Sequence, residues 1–377
     1  MFCIYSFIAF ICFLGVYSVT DFRHLSTELY FDHLSPKEQF LQELQDQPLY
    51  KITGFNFQPT NPGVLPYDTP ILEQLNKLVH YDPSQPIPKT ILQMWKVPLD
   101  HEEFPKEFKQ YIQTWRDKSP EYDYHMRTNA EIDVMIEELY KDIPQILHAY
   151  NILPEIMLKC DFSIYLLLFA YGGTYVDLDA VLLKPMNDWI SSQKSYLSKP
   201  LDLGIIVGVE SDRTFLSEKY HGPRVQINTW TISAKKGHPM LAELISNITE
   251  YTLWREETGT LNTILEANEV FHIINWTGPG KFTHMVYKAL NNILQSDFNN
   301  YETLIDAYFF GSIRLPIVIG DIMVLPVTCL HAEKNSKWKA GNVDDPLAYV
   351  KHIGSGVWKK KKKTNKKAKA DSTAKNT

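Results

Sequence analysis

The sequence predicts an α/β fold, a sheet whose strands are joined by helical crossovers. Three observations predict it. Short strand-like apolar runs alternate along the chain with longer helical ones. The longest apolar helix stops at Gly172-Gly173 and is followed at once by a strand. Aromatic residues are abundant, with 8 Trp, 21 Tyr and 19 Phe, which excludes a disordered or coiled-coil chain and supplies a large core.

Taken in order, Thr90–Trp95 reads as the first buried strand. Residues 102–118 read as a helix and 122–126 as a second strand. Residues 129–140 read as a helix with Asn129 as its N-cap. Pro144 interrupts that helix, because proline lacks the donor that would continue it, so 144–150 is at most a second short helix. Residues 155–170 form the apolar helix, and 174–183 a strand interrupted by acids. The later half mixes short strands at 204–209, 225–233 and 322–325 with helices at 239–254 and 280–294.

The ends differ from the middle. Residues 1–19 carry no charged side chain, and as a helix they would span about 28 Å, close to the hydrocarbon thickness of a bilayer. Residues 1–20 therefore read as a signal-anchor, with a cleaved signal peptide as the alternative. Either directs the domain into the secretory pathway. Residues 21–80 read as a stem, 81–358 as one catalytic-size domain, and 359–377 as a disordered Lys-rich tail. That tail holds nine Lys and one Asp, a charge of +8, so the net −6 of the chain leaves −14 for the remainder (−6 − 8). An acidic remainder excludes a nucleic-acid-binding surface. Two acceptor triplets for N-glycosylation agree with a luminal domain, at Asn247 and Asn275. Cys160 and Cys329 are the cysteines of the domain, and whether they pair is open.

The informative segment is 159–179. Asp177 and Asp179 are two apart on an expected strand, so their carboxylates leave one face. The neighbours Val176, Leu178, Ala180 and Val181 are apolar. Two unpaired acids there would be costly, and a hard divalent cation with oxygen ligands, Mn²⁺ or Mg²⁺, is their natural partner. Such an ion stabilises the charge that grows on a departing nucleoside diphosphate.

The pattern Asp161…Tyr165…Tyr171-Gly172-Gly173-x-Tyr175-x-Asp177-x-Asp179 resembles glycosyltransferase family 32, and within it the fungal initiation-specific α-1,6-mannosyltransferases of outer-chain N-glycan synthesis. Further blocks agree in order, at 87–96, 230–239, 275–280, 321–326 and 345–352. The resemblance implies a GT-A fold, a GDP-mannose donor, Mn²⁺, retention of anomeric configuration, an N-glycan or glycoprotein acceptor, and a type II Golgi membrane protein with its domain in the lumen. It implies Asp177, Asp179 and Asp161 as catalytic residues. Trp95 would stack on the donor base, and Asp161, Tyr165, Gly172, Gly173 and Tyr175 would bind the donor. His352 would be a third metal or diphosphate contact. Two departures mark a divergent member. The family Arg three residues after Asp161 is Ile164 here, with Arg224 as a candidate replacement, and Val357 stands where a Ser usually precedes the final Trp358. Two other readings follow. The lost Arg suits a non-catalytic subunit associated with other Golgi mannosyltransferases. An inositol-phosphoceramide acceptor is disfavoured by the polar C-terminal tail.

Overall fold

The computed structural model of the chain describes residues 70–213, 224–262, 272–296, 304–334, 336, 338 and 340–356. The N-terminal apolar stretch, most of the stem, Trp358 and the Lys-rich tail lie outside them. Among the described residues no helix is long and apolar enough to cross a membrane.

The architecture is mixed α/β around one central sheet. Helix α1 (Ile71–Leu78) precedes β1 (Thr90–Trp95), α2 (Lys106–Lys118), β2 (Asp123–Thr128), α3 (Asn129–Tyr140) and α4 (Pro144–Ile152). Then come α5 (Ile156–Tyr171), β3 (Gly173–Val176), β4 (Ala180–Leu182) and the small hairpin β5 (Ser195–Tyr196) and β6 (Lys199–Pro200). The second half holds β7 (Ile205–Asp212), β8 (Val225–Ile227), β9 (Thr231–Ala234), α6 (Pro239–Glu257), α7 (Pro279–Leu294), β10 (Ile317–Ile319), β11 (Ile322–Leu325), α8 (Val327–Leu330) and β12 (Val350–His352). The strand order is β10-β11-β7-β9-β3-β1-β2, with β8 on β7 and a separate β4–β12 pair. Strands β2, β1 and β3 are parallel, as crossover helices require, and β9 enters antiparallel to β3 and β7.

Helix α5 explains the centre. It is apolar all round, and residues 162–170 are buried, so it lies inside the protein rather than on it. It packs on β3 and β9, while α6 packs on α4 and α5. The chain then turns through Gly172 (φ 71°) and Gly173 (φ 94°), conformations that side chains rarely adopt. A Cβ on Gly173 would lie 2.0 Å from Thr90 Oγ1, so this turn sets how closely β3 approaches β1.

Four boundaries differ from expectation for identifiable reasons. Helix α2 starts after Pro105, whose extended backbone ends the preceding loop. Thr128 caps α3 in place of Asn129, because Glu131 completes a capping box with it. Residues 174–183 are not one strand. β3 ends at Val176, residues 177–179 turn with Ala180 N–H donating to Asp177 O at 3.1 Å, and β4 pairs with β12 instead of the central sheet. Likewise 225–233 breaks into β8 and β9, because the Asn228 side chain accepts Thr231 N–H at 3.2 Å and donates to Gly208 O at 3.0 Å.

Gly173→Ala is expected to lower unfolding stability by about 2 kcal/mol or more, combining positive-φ strain with the clash on Thr90. Urea denaturation of the purified chain measures it, and an unchanged midpoint contradicts the crowding.

Candidate functional site

The site lies at the end of β3 where that strand stops, beside the C-terminal ends of β1 and β2. In open α/β sheets this edge is where ligands bind. Asp177 leaves the ladder with its N–H on Trp230 O at 2.8 Å and its carbonyl accepting Gln93 Nε2 at 3.1 Å. Its Oδ1 accepts the Tyr175 hydroxyl at 2.7 Å. Two residues on, Asp179 is clasped by the β12 segment. Asp179 O accepts Ile353 N–H at 2.9 Å, Oδ2 accepts Ser355 N–H at 2.8 Å, and Oδ1 lies 3.2 Å from His352 Nε2. The shared face expected for the two acids therefore comes from a turn, not from strand alternation.

One ligand atom each from Asp177, Asp179 and His352 lies within 4.8 Å of the others. His352 arrives there because β12 pairs with β4, setting His352 opposite Ala180. The ring of Trp230 stacks on the His352 imidazole, with centroids 4.1 Å apart and planes 7° apart.

The electrostatics are those of a cation site. Burial pushes the Asp177 carboxyl up to about 6; His352 opposes that rise and the Asp179 charge adds to it. Burial acts on Asp179 too, but the His352 hydrogen bond and charge and the Ser355 N–H outweigh it and bring it down to about 2. His352 is raised above its ordinary value: burial opposes this, and the bond and charge of Asp179, then Asp177 and Glu210, win. Asp161 is pushed up to about 7 by burial and by the Asp177 charge. Two carboxylates and an imidazole nitrogen, with one carboxyl kept proton-hungry chiefly by burial, fit a divalent ion such as Mn²⁺ or Mg²⁺.

The other expected site residues divide. Asp161 lies outside that trio but close enough to feel the Asp177 charge, and its Oδ2 accepts the Thr277 hydroxyl at 3.3 Å. Tyr175, 5 % exposed, holds Asp177 instead of offering a donor-facing surface. Tyr165 is fully buried, stacks on Phe282, and gives its hydroxyl to Thr277 O at 2.8 Å, so it orients the partner of Asp161. Gly172 and Gly173 begin β3, at the opposite end from Asp177. A Cβ there would meet Pro88, Thr90, Ala234 and Lys236, so the absence of side chains lets the chain pass closely between them. Trp95 ends β1 with its ring edge-on to Phe104 and Phe108 and its buried indole N–H unpartnered. Ile164 is 3 % exposed in the core, and Arg224 does not replace the missing cation, since its guanidinium lies over the Tyr308 ring. Cys160 and Cys329 are both free thiols. Asn247 is exposed on α6 and Asn275 is partly buried, while the threonines of both acceptor triplets, Thr249 and Thr277, are fully buried.

Sequence reasoning missed Gln93, Trp230 and Ser355. Trp230 opens the family-like block 230–239, which gives it no role of its own; Gln93 and Ser355 act through contacts no local pattern announces. A cavity of about 320 Å³ at the same sheet edge is lined by Leu99, Arg116, Tyr124, Met126, Arg127 and Thr128, among others. Its Tyr124 donates to Gln93 Oε1, which links the cavity wall to the Asp177 backbone.

Residues 105–196 match the family profile described as a glycosyltransferase sugar-binding region containing a DXD motif. The chain is similar to the initiation-specific alpha-1,6-mannosyltransferase of Candida albicans, 43% identical over 335 residues and covering 87% of this chain and 86% of that one. The protein of the same description from Saccharomyces cerevisiae is 31% identical over 391 residues, covering 76% and 81%. That from Schizosaccharomyces pombe is 32% identical over 279 residues, covering 72% and 64%.

The charges predict a pH signature. Unfolded carboxyls release protons near pH 4. Folded Asp161 and Asp177 keep theirs to about 7 and about 6. Across that window the folded state holds protons that the unfolded chain has lost, so metal-free stability falls as pH rises. His352 works in the same direction, its contribution being lost as pH rises through its raised folded value. Asp179 contributes stability above about pH 4 that disappears only toward pH 2. A divalent ion bound there would displace the retained protons, so added Mn²⁺ should raise the melting temperature more at pH 7 than at pH 5. Asp177→Asn should raise the metal-free melting temperature at pH 7 and abolish the Mn²⁺ shift. Scanning calorimetry reads both, and an equal Mn²⁺ shift at the two pH values contradicts the assignment.

Proposed function

Because this chain belongs to the family of the initiation-specific α-1,6-mannosyltransferases, which are glycosyltransferases, we propose that it transfers mannose from GDP-mannose to an N-linked glycan in α-1,6 linkage. The observation that carries the reading is the convergence of Asp177, Asp179 and His352 beside the C-terminal ends of β1 and β2. On this reading the fold is of the GT-A type, and the protein works in the Golgi lumen behind an N-terminal anchor formed by residues 1–20.

In the mechanism, Asp177, Asp179 and His352 would hold the divalent ion, Mn²⁺ or Mg²⁺. When bound, the ion supplies the positive charge that a departing diphosphate needs. Tyr175 keeps the Asp177 carboxylate turned toward the cluster, and the Ser355 N–H keeps Asp179 in place. Asp161, fixed through Thr277, offers an acceptor to donor hydroxyls. Trp95, partly buried at the end of β1, offers its ring for the donor base. Transfer with retention can proceed on the face the leaving phosphate vacates, so these residues bind and orient and no side chain need act as a nucleophile.

A second reading, a non-catalytic subunit of a mannosyltransferase complex, is favoured by one observation. Ile164 puts an apolar side chain three residues after Asp161, and the cation in the described cluster is His352.

Purified chain assayed with GDP-mannose, UDP-glucose and UDP-galactose, with and without Mn²⁺, separates the readings. Transfer is expected with GDP-mannose and Mn²⁺ alone, with a loss on the order of 10²–10³ in kcat for Asp177→Asn and Asp179→Asn. Full activity in either variant rejects the metal assignment, and absence of turnover in the wild type supports the subunit reading.

A further inference from the structure

We propose that Trp230 is the positioning residue that locks His352 as a ligand and thereby sets the metal affinity of the site. The inference rests on the divalent-ion reading above and extends it to a side chain that touches no ligand.

His352 ends a three-residue strand, β12, paired to β4. So short a strand fixes the backbone at that point but leaves the imidazole free to turn about its side-chain bonds. The indole removes that freedom. It lies face-on to the imidazole at 4.1 Å and 7°. A stack on the ring face leaves both ring nitrogens open in the ring plane, the plane in which a metal or a carboxylate is met. Nε2 accordingly lies 3.2 Å from Asp179 Oδ1.

The indole is itself immobilised. Trp230 is 7 % exposed, and its Nε1–H donates to Leu330 O at 3.3 Å. The His331 ring meets it at right angles, 5.5 Å between centroids, and meets His352 at 84° and 5.8 Å. The same residue receives Asp177 N–H on its carbonyl oxygen at 2.8 Å. Trp230 therefore joins two segments 175 residues apart in sequence, one ligand through its main chain and another through its ring. Its side chain packs on His352 and its main chain holds Asp177, so a side-chain substitution should disturb the His352 ligand and spare Asp177.

The test is the Kd for Mn²⁺, read by electron paramagnetic resonance of the free ion, on the full chain. Trp230→Met keeps an apolar side chain, smaller than the indole, but has no planar face. It should weaken Mn²⁺ binding about 10–100-fold, the range for groups that orient a metal ligand. Trp230→Phe restores a face and should recover most of that loss. The double variant Trp230→Met/His352→Ala should bind no more weakly than His352→Ala alone, because both changes remove one ligand. In assays KM for Mn²⁺ should rise with kcat at saturating metal little changed. Wild-type Kd in Trp230→Met, or losses that add in the double variant, overturns the proposal. Wild-type Kd in His352→Ala and Asp179→Asn overturns the metal site as well, so the two failures are distinguishable. A reading on the wild type needs no variant. The His352 ring protons should carry an upfield ring-current shift that persists when Mg²⁺ is added, and unshifted protons in the Mg²⁺-loaded chain reject the stack.

Discussion

Two carboxylates buried in one corner repel each other unless a cation stands between them, and the site is organised around that constraint. The protein compensates Asp179 with His352 and the Ser355 N–H, which leaves Asp177 with the Tyr175 hydroxyl and an elevated proton affinity. Asp161 adds a third acid within reach of Asp177. The imbalance is local: it is concentrated at the end of β3, where a divalent ion would offset it.

Everything behind that corner serves to keep it rigid. The apolar α5 fills the interior and delivers the chain to β3 through two glycines in conformations other residues avoid. Tyr165 and Thr277 hold Asp161 from behind. At the far end of the sheet, Tyr81 donates to Asp321 at 2.5 Å, and the buried Lys235 donates to Pro83 O and Asp202, both at 2.6 Å. The bonds from Tyr81 and to Pro83 fasten the segment after α1 to the sheet at the end away from Asp177.

Much of this is legible in the sequence, and the remainder is illegible for physical reasons. The Asp177–Asp179 pair stands out because acids in an apolar run are costly unless a cation compensates them, and Gly172-Gly173 marks the helix-to-strand switch. A single strand through 174–183 is the reading its apolar residues invite, since they continue past the acids. What ends that strand is a turn bond at Asp177 and a pairing with β12 more than 160 residues later, and neither leaves a local trace. His352 is reached from family resemblance alone. Trp230 is invisible as a site residue, since a buried Trp beside a strand is what any core contains. Tyr165, Tyr175 and the two glycines fall in the right neighbourhood but support ligands and chain geometry, a role that residue type cannot separate from donor contact.

The most direct test of the central claim is anomalous diffraction at the manganese edge from crystals of the domain soaked with Mn²⁺ and GDP. One strong peak is expected about 2–2.6 Å from carboxylate oxygens of Asp177 or Asp179 and in contact with His352, with the diphosphate on its open side. A peak elsewhere, or nucleotide bound with these three side chains turned away from it, would contradict the claim.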